Sequence, residues 1–244
     1  MALKITIAEN EVEFDRIAAW QIIREMLVNP KAVIGLSTGR TTKNMHFIAG
    51  DIYKTGPFDT SKVTIFGLDE VINIPRDYAG ACYTMLKNEI VDPLEIKDEN
   101  FIIPPTLSGD FEKECEIFQS ELERRGDIDL QILGLGTNGH LGFNQPGTPF
   151  GQETWVSAMD KELETRIRKE TNTPVGKKLG GITLGLKNIM HSCKILLVAK
   201  GEAKADIVKE MLYGPVTTDI PASILQLHPN CEFLLDKAAA KYIT

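Results

Sequence analysis

Residues 130–146 constrain the fold more than any other stretch of this chain. They begin as a short apolar run, Leu130-Gln131-Ile132-Leu133, with the length of a buried strand in a parallel sheet. Gly134, Gly136, Gly139 and Gly142 then fall within nine residues. A glycine-rich loop at the carboxyl end of a buried strand lets backbone approach a ligand closely, at an entropic cost. His140 stands in that loop, and its ordinary pKa near neutrality suits proton transfer. Asn138-Gly139 is also a strong hairpin signal, but a hairpin needs an alternating strand after it. Residues 141–147 are broken by Gly142, Asn144, Pro146 and Gly147, so a functional loop is expected instead.

The rest of the chain repeats the pattern of apolar run, polar loop and helix. The spacing of Phe14, Ile17, Ala18, Ile22 and Met26 predicts a helix over Glu11–Val28, with Trp20 as packing and Asn29-Pro30 as the stop. The run 32–36 is a second strand, and it leads into Ser37-Thr38-Gly39-Arg40-Thr41-Thr42 before a helix from Lys43. A hydroxyl-and-glycine loop between strand and helix is an arrangement that binds phosphate, because free amides and the helix dipole favour an anion there; the same residues also suit a plain capped helix start. The loop is neither GxxxxGK[ST] nor GxGxxG. A third run, 63–68, ends in Asp69-Glu70, and strand alternation sends those carboxylates to opposite faces. One is then free to face a crevice while the other caps or braces.

Residues 81–90 read as helix, and Asp110 reads as the N-cap of a helix to Arg125, with stripe Phe111, Cys115, Phe118 and Leu122 and Gly126 as its stop. The charged segment 151–178, which holds Arg166 and Arg168, is too long for a plain connection and reads either as a helical lid over the site or as a solvated surface helix. Residues 194–199 are a further strand, followed by Lys204 in the first turn of a helix. A cation there fits a bound anion. Residues 220–228 read as helix and 231–235 as a last strand. Strands alternating with helices throughout predict an α/β fold: a doubly wound, mainly parallel, Rossmann-like sheet with helices on both faces. With 244 residues and no linker or repeat, one domain spanning 1–244 is expected.

Composition narrows the partners. The net charge is −7 with no long basic run, which argues against nucleic acid but not against a small anion met by a few local cations. No apolar run approaches the roughly 20 residues of a membrane span, and the N-terminus reads as a strand rather than a signal peptide, so no membrane partner and a cytoplasmic location are expected. Cys82, Cys115, Cys193 and Cys231 are scattered without CxxC or metal-ligand spacing, so neither a metal site nor a disulfide framework is expected. Cys115 is assigned to the core.

Taken together, these residues closely resemble the glucosamine-6-phosphate deaminase family over nearly the whole chain. The resemblance is carried by the Ser37-Thr38-Gly39-Arg40-Thr41 loop, Leu68-Asp69-Glu70, residues 134–146, Gly201 to Lys204 and residues 220–228. The block Gly139-His140-Leu141-Gly142-Phe143-Asn144-Gln145-Pro146-Gly147 is its most specific part. Gly181-Ile182-Thr183-Leu184-Gly185-Leu186-Lys187 and Ile220-Pro221-Ala222-Ser223 look more like the galactosamine-6-phosphate branch.

The resemblance implies conversion of an amino-sugar 6-phosphate to a ketose 6-phosphate and ammonia, without cofactor. Asp69 would move the C2 proton toward C1, and His140, oriented by Asn138, would assist ring opening. Thr38, Gly39, Arg40, Thr41 and Lys204 would hold the phosphate, and the family's lid arginine falls near Arg166 or Arg168. Expected partners are the amino-sugar phosphate and, left open, further copies of the chain.

Three positions depart from the family pattern. Asn138 stands where many members carry Asp, and Arg40 where a second glycine is common. Gln145 occupies the third catalytic position, where Asn-Glu-Pro is usual; glutamine hydrogen-bonds but carries no charge. If that acid supports His140, the chain would be slow, take another substrate, or have lost activity. Two rival readings follow. One is a 6-phosphogluconolactonase-like hydrolase, which should show a Leu-Phe-Pro pattern after Asp-Gly-His. The other is a non-catalytic sugar-phosphate sensor, whose helix-turn-helix segment has no room before the first strand.

Overall fold

The computed structural model describes residues 3–159 and 161–243. The first half runs β1 (Lys4–Ala8), α1 (Glu11–Val28), β2 (Val33–Leu36), α2 (Lys43–Thr55), β3 (Thr64–Gly67), β4 (Asp69–Ile72), α3 (Cys82–Leu86), β5 (Phe101–Ile102) and α4 (Phe111–Arg125). The second half runs β6 (Leu130–Gly134), β7 (Trp155–Ser157), α5 (Lys161–Thr171), β8 (Gly180–Thr183), α6 (Leu186–Met190), β9 (Ile195–Ala199), α7 (Ala205–Tyr213) and β10 (Cys231–Asp236).

Seven strands form one sheet in the order β1-β10-β9-β6-β2-β3-β5, and every pairing in it is parallel. Alternation along the strands splits the core in two. Ile34, Leu36, Ile132 and Val198 pack with Phe14, Ile22 and Met45 of α1 and α2. Val33, Leu133, Leu197 and Phe233 pack on the other face with Phe118, Leu122, Met211 and Leu212 of α4 and α7. Each such fully buried side chain contributes about 1.5–3 kcal/mol, and covering both faces is what a parallel sheet requires. The expected doubly wound α/β architecture is the one observed.

Local signals fix the helix ends. Asn10 accepts from the Glu13 amide at the start of α1, and Asp110 accepts from the Lys113 amide at the start of α4. Gly126 closes α4 at φ 85°, a conformation that glycine adopts without a Cβ penalty.

Strand order reverses between β6 and β2: successive strands run outward to β3 and β5 on one side, and to β9 and β10 on the other. At such a switch point the loops leaving the carboxyl ends diverge and open a crevice. Residues 37–42 and 135–145 leave the sheet side by side there.

Several expectations need correction. The chain does not stop being strand after Leu68. Leu68 donates its amide to Leu36 and accepts from Leu184, after which Asp69–Ile72 pairs antiparallel with β8, and β8 with β7, in a second sheet. Asp69 and Glu70 thus lie within a strand, not just past one. Trp20 is 48 % exposed and is not core packing, because it lies on the solvent side of α1. Residues 220–228 form a 3₁₀ helix over Pro221–Leu227, and the helix from Cys82 passes at Lys87 into a π turn that ends at Val91. Cys115 is buried on the α4 stripe as expected. No disulfide joins the cysteines among the described residues.

Candidate active site

The two loops at the switch point are tied together. Ser37 accepts a hydrogen bond from the Gly134 amide at 3.0 Å, so the end of β2 holds the end of β6. Gly39, at φ 129°, lets the chain turn so that its carbonyl accepts the amides of Thr42 and Lys43. Thr38 and Thr41 are half-buried in this turn and Arg40 is exposed.

Asp69 opens β4 as a buried carboxyl. Its Oδ1 accepts from the Cys82 thiol at 3.4 Å, and that sulfur accepts from the Thr38 hydroxyl at 3.3 Å. Its Oδ2 faces the glycine loop: a Cβ on Gly142 would lie 3.1 Å from it and 2.7 Å from Thr183 Oγ1. Burial pushes the Asp69 carboxyl up to about 6, with the Cys82 hydrogen bond pulling the other way. Glu70 turns to the opposite side and accepts the amides of Val71, Cys82 and Tyr83 at 2.7, 2.9 and 2.7 Å. It caps α3 as a brace, and burial pushes its carboxyl to about 7.

His140 lies over Gly136 so closely that a Cβ there would come within 2.3 Å of Nδ1. Asn138 Oδ1 accepts from the His140 amide at 3.2 Å and meets Nδ1 at 2.7 Å, while Asn138 Nδ2 donates to Gln145 Oε1 at 3.1 Å. An amide oxygen only accepts, so Nδ1 carries a proton and donates it to Asn138. The loop is further held by Ala222, whose amide donates to the Gly139 carbonyl at 2.9 Å. No hairpin forms across Asn138-Gly139. Asn144, fully buried, donates to the carbonyls of Leu141 and Leu184 and accepts from the Trp155 indole, stapling the loop to the second sheet.

Lys204 ends a 3₁₀ turn after Gly201 and donates to the Leu135 carbonyl at 2.6 Å. Its pKa is lowered, first by burial and then by Arg40. Two cations from different loops therefore repel each other, and no acid pairs with either among the described residues.

Residues 151–178 contain β7 and α5 as well as loop. Arg168 of α5 binds Glu164 and the carbonyls of Thr173, Pro174 and Lys177, so its guanidinium is spent on closing its own helix. Arg166 is exposed near Tyr78, whose hydroxyl donates to Glu170. The structure thus gathers Thr38, Gly39, Arg40, Thr41 and Lys204 at one edge and Asp69 beside the loop of Asn138, His140 and Gln145. It does not bring Arg168 to either group.

Sequence reasoning passed over Cys82 and Thr183, both in touch with Asp69 or its surroundings. Cys82 lacked any partner at helical or metal-ligand spacing, and Thr183 lies more than a hundred residues away in sequence. Among the described residues no group of three or more His, Cys, Asp or Glu side chains is placed to hold a metal, and no helix is long and apolar enough to cross a membrane.

Comparison with known proteins gives one consistent result. Residues 16–233 match the family described as glucosamine-6-phosphate isomerases/6-phosphogluconolactonase. A glucosamine-6-phosphate deaminase of Clostridium botulinum (strain Loch Maree / Type A3) is 37 % identical over 240 residues, covering 98 % of each chain. One of Thermoanaerobacter pseudethanolicus is 35 % identical over 241 residues, covering 99 % of this chain and 95 % of that one. Among solved structures, a monomeric glucosamine-6-phosphate deaminase superposes with TM-score 0.91 at 29 % identity, covering 98 % of this chain and 99 % of the other. A 6-phosphogluconolactonase of Trypanosoma cruzi shares the fold at TM-score 0.81 and 18 % identity, covering 100 % of this chain and 97 % of that one.

Proposed function

This chain belongs to the glucosamine-6-phosphate isomerase/6-phosphogluconolactonase family, and on that premise we propose that it is an amino-sugar 6-phosphate deaminase. Its substrate is glucosamine 6-phosphate or galactosamine 6-phosphate, and its products are a ketose 6-phosphate and ammonia, formed with uptake of one water and no cofactor. The whole chain acts as one domain, in the cytoplasm, where phosphorylated sugars are held by their charge.

The chemistry follows from the geometry. Arg40, Lys204 and the Thr38-Gly39-Arg40-Thr41 loop anchor the phosphate, which fixes the far end of the sugar. His140 takes the C1 hydroxyl proton and delivers it to the ring oxygen, opening the ring to an aldehyde whose C2 proton is acidic. Asp69 takes that proton and returns it to C1, while a proton leaves the amine nitrogen and one is gained by the C1 oxygen. C1 so becomes a hydroxymethyl group and C2 an imine that water hydrolyses to ketone and ammonia. The amides of Asn138 and Gln145 orient the imidazole through its Nδ1.

The observation that carries this reading is Asp69: a buried carboxyl pushed up to about 6, with Oδ2 turned to the glycine loop of His140. A carboxylate base poised there is what a C2 proton transfer needs. The deciding experiment measures ammonia release from both amino-sugar phosphates, with Asp69→Asn and His140→Ala alongside. Turnover of one sugar, lost in both variants, is expected. Tight binding without ammonia would leave a sugar-phosphate sensor, and hydrolysis of a phosphogluconolactone alone would leave the hydrolase.

A further inference from the structure

We propose that Cys82 is a positioning residue for Asp69, delivering one oriented hydrogen bond from its buried thiol to Oδ1. This rests on the reading of Asp69 as the base.

Three contacts fix the direction of that bond. Glu70 holds the Cys82 backbone amide at 2.9 Å, which pins the residue at the start of α3. The Thr38 hydroxyl donates into the sulfur at 3.3 Å, occupying its acceptor side. A thiol has a single proton, so with Thr38 donating inward the S–H is left to point at Asp69, 3.4 Å away. Burial, then the charges of Asp69 and Glu70, push the Cys82 thiol well above its ordinary value, so it keeps that proton. By contrast, the thiol of Cys115 is buried within the apolar cluster that α4 packs into.

The result divides the two oxygens of Asp69. Oδ1 is held by the thiol, and Oδ2 is left on the side of Gly142 and Thr183, where the substrate carbon must come. Among the described residues the titratable groups around Asp69 are Cys82 from α3 and Glu70 from its own strand, with His140 in the glycine loop that Oδ2 faces. The Thr183 hydroxyl from β8 and the Gly142 backbone, also packed there, do not titrate. Cys82 is thus the side chain that favours ionised Asp69 over neutral.

The test is the pH profile of kcat/KM for ammonia release by wild type, Cys82→Ala and Cys82→Ser, with Asp69→Asn in parallel. Removing the donor raises the acid limb by about one pH unit, so Cys82→Ala runs about tenfold slower below the limb and matches wild type well above it. Cys82→Ser keeps a donor and restores the limb. An unmoved limb in Cys82→Ala, or an equal loss at every pH in both variants, overturns the role of Cys82. Wild-type-like turnover by Asp69→Asn instead removes the reading of the base. If Cys82→Ala does not fold, the infrared S–H stretch of wild type, assigned by its loss in Cys82→Ser, decides. That band is expected to move as the pH passes through the acid limb, and a stationary band overturns the proposal.

Discussion

Asn138 Oδ1 accepts from both the backbone amide of His140, at 3.2 Å, and its Nδ1, at 2.7 Å. One side chain therefore sets both the turn of the loop and the tautomer of the ring, and Gln145 holds that side chain in turn through its other end. Asn138 and Gln145 both act through side-chain amides. They can orient an imidazole but lend it no negative charge.

Asn138→Ala is accordingly expected to lower kcat by about 10²-fold, the scale of one general-base contribution, with a much smaller change in KM. Asn138→Asp keeps both contacts and adds a charge that favours the imidazolium. Its acid limb should move up in pH. Steady-state kinetics across pH separates the two. Equal kcat for all three proteins would remove Asn138 from the chemistry.

Asp69 links activity to stability. Its folded pKa, about 6, lies above the ordinary 3.8, so protonated Asp69 favours the folded state. That stability is fully present below the unfolded pKa and is lost as pH rises through about 6, while activity needs the opposite ionisation and falls as pH drops through the same range. Asp69→Asn should abolish turnover and yet be more stable than wild type at neutral pH, by about 1–3 kcal/mol from a shift of this size. Thermal melts at low and neutral pH, beside a binding assay with the sugar phosphate, check both halves. A variant less stable at neutral pH would contradict the burial argument.

Gly142 is at φ 56°, and a Cβ on it would meet Thr183 Oγ1 at 2.7 Å and Asp69 Oδ2 at 3.1 Å. Gly142→Ala carries both backbone strain and a clash, for a loss of about 1–3 kcal/mol. Because the clash with Thr183 also crowds Asp69 Oδ2, kcat should fall further than the stability loss explains. A variant destabilised but fully active when folded would show that the loop yields without disturbing the carboxyl.

Part of this site was legible from residue order alone. The β2 and β6 loops could be placed because each follows an unbroken apolar run, and a parallel sheet puts the carboxyl ends of such runs on one side. Asp110 and Gly126 announced the ends of α4 through local hydrogen-bond chemistry. The second sheet was not legible: Asp69–Ile72 continues directly from β3, and nothing in the sequence marks Leu68 as the residue that changes sheets. Its partner strand lies more than a hundred residues on, and such pairing leaves no local signal. Cys82 was hidden for the same reason, since its contacts with Thr38 and Asp69 join three separate segments. Arg168 looked like a lid residue by charge and position, and only its contacts with the carbonyls of its own loop reveal a structural use.

Lys204 and Arg40 bring two like charges together, a repulsion that a bound phosphate dianion would relieve. Their contributions should differ because their surroundings do. Lys204 is half-buried, where a charge-assisted hydrogen bond is worth about 1.5–3 kcal/mol, so Lys204→Met should raise KM by about 10- to 100-fold. Arg40 is exposed and screened by salt, so Arg40→Gln should raise KM only severalfold, by an amount that shrinks as ionic strength rises. Inhibition by inorganic phosphate should weaken in the same order, since the anion needs no sugar to fill the cradle. If either substitution instead lowered kcat at constant KM and left phosphate inhibition intact, the two cations would belong to the reacting end of the sugar, and the anchoring end would have to be sought elsewhere.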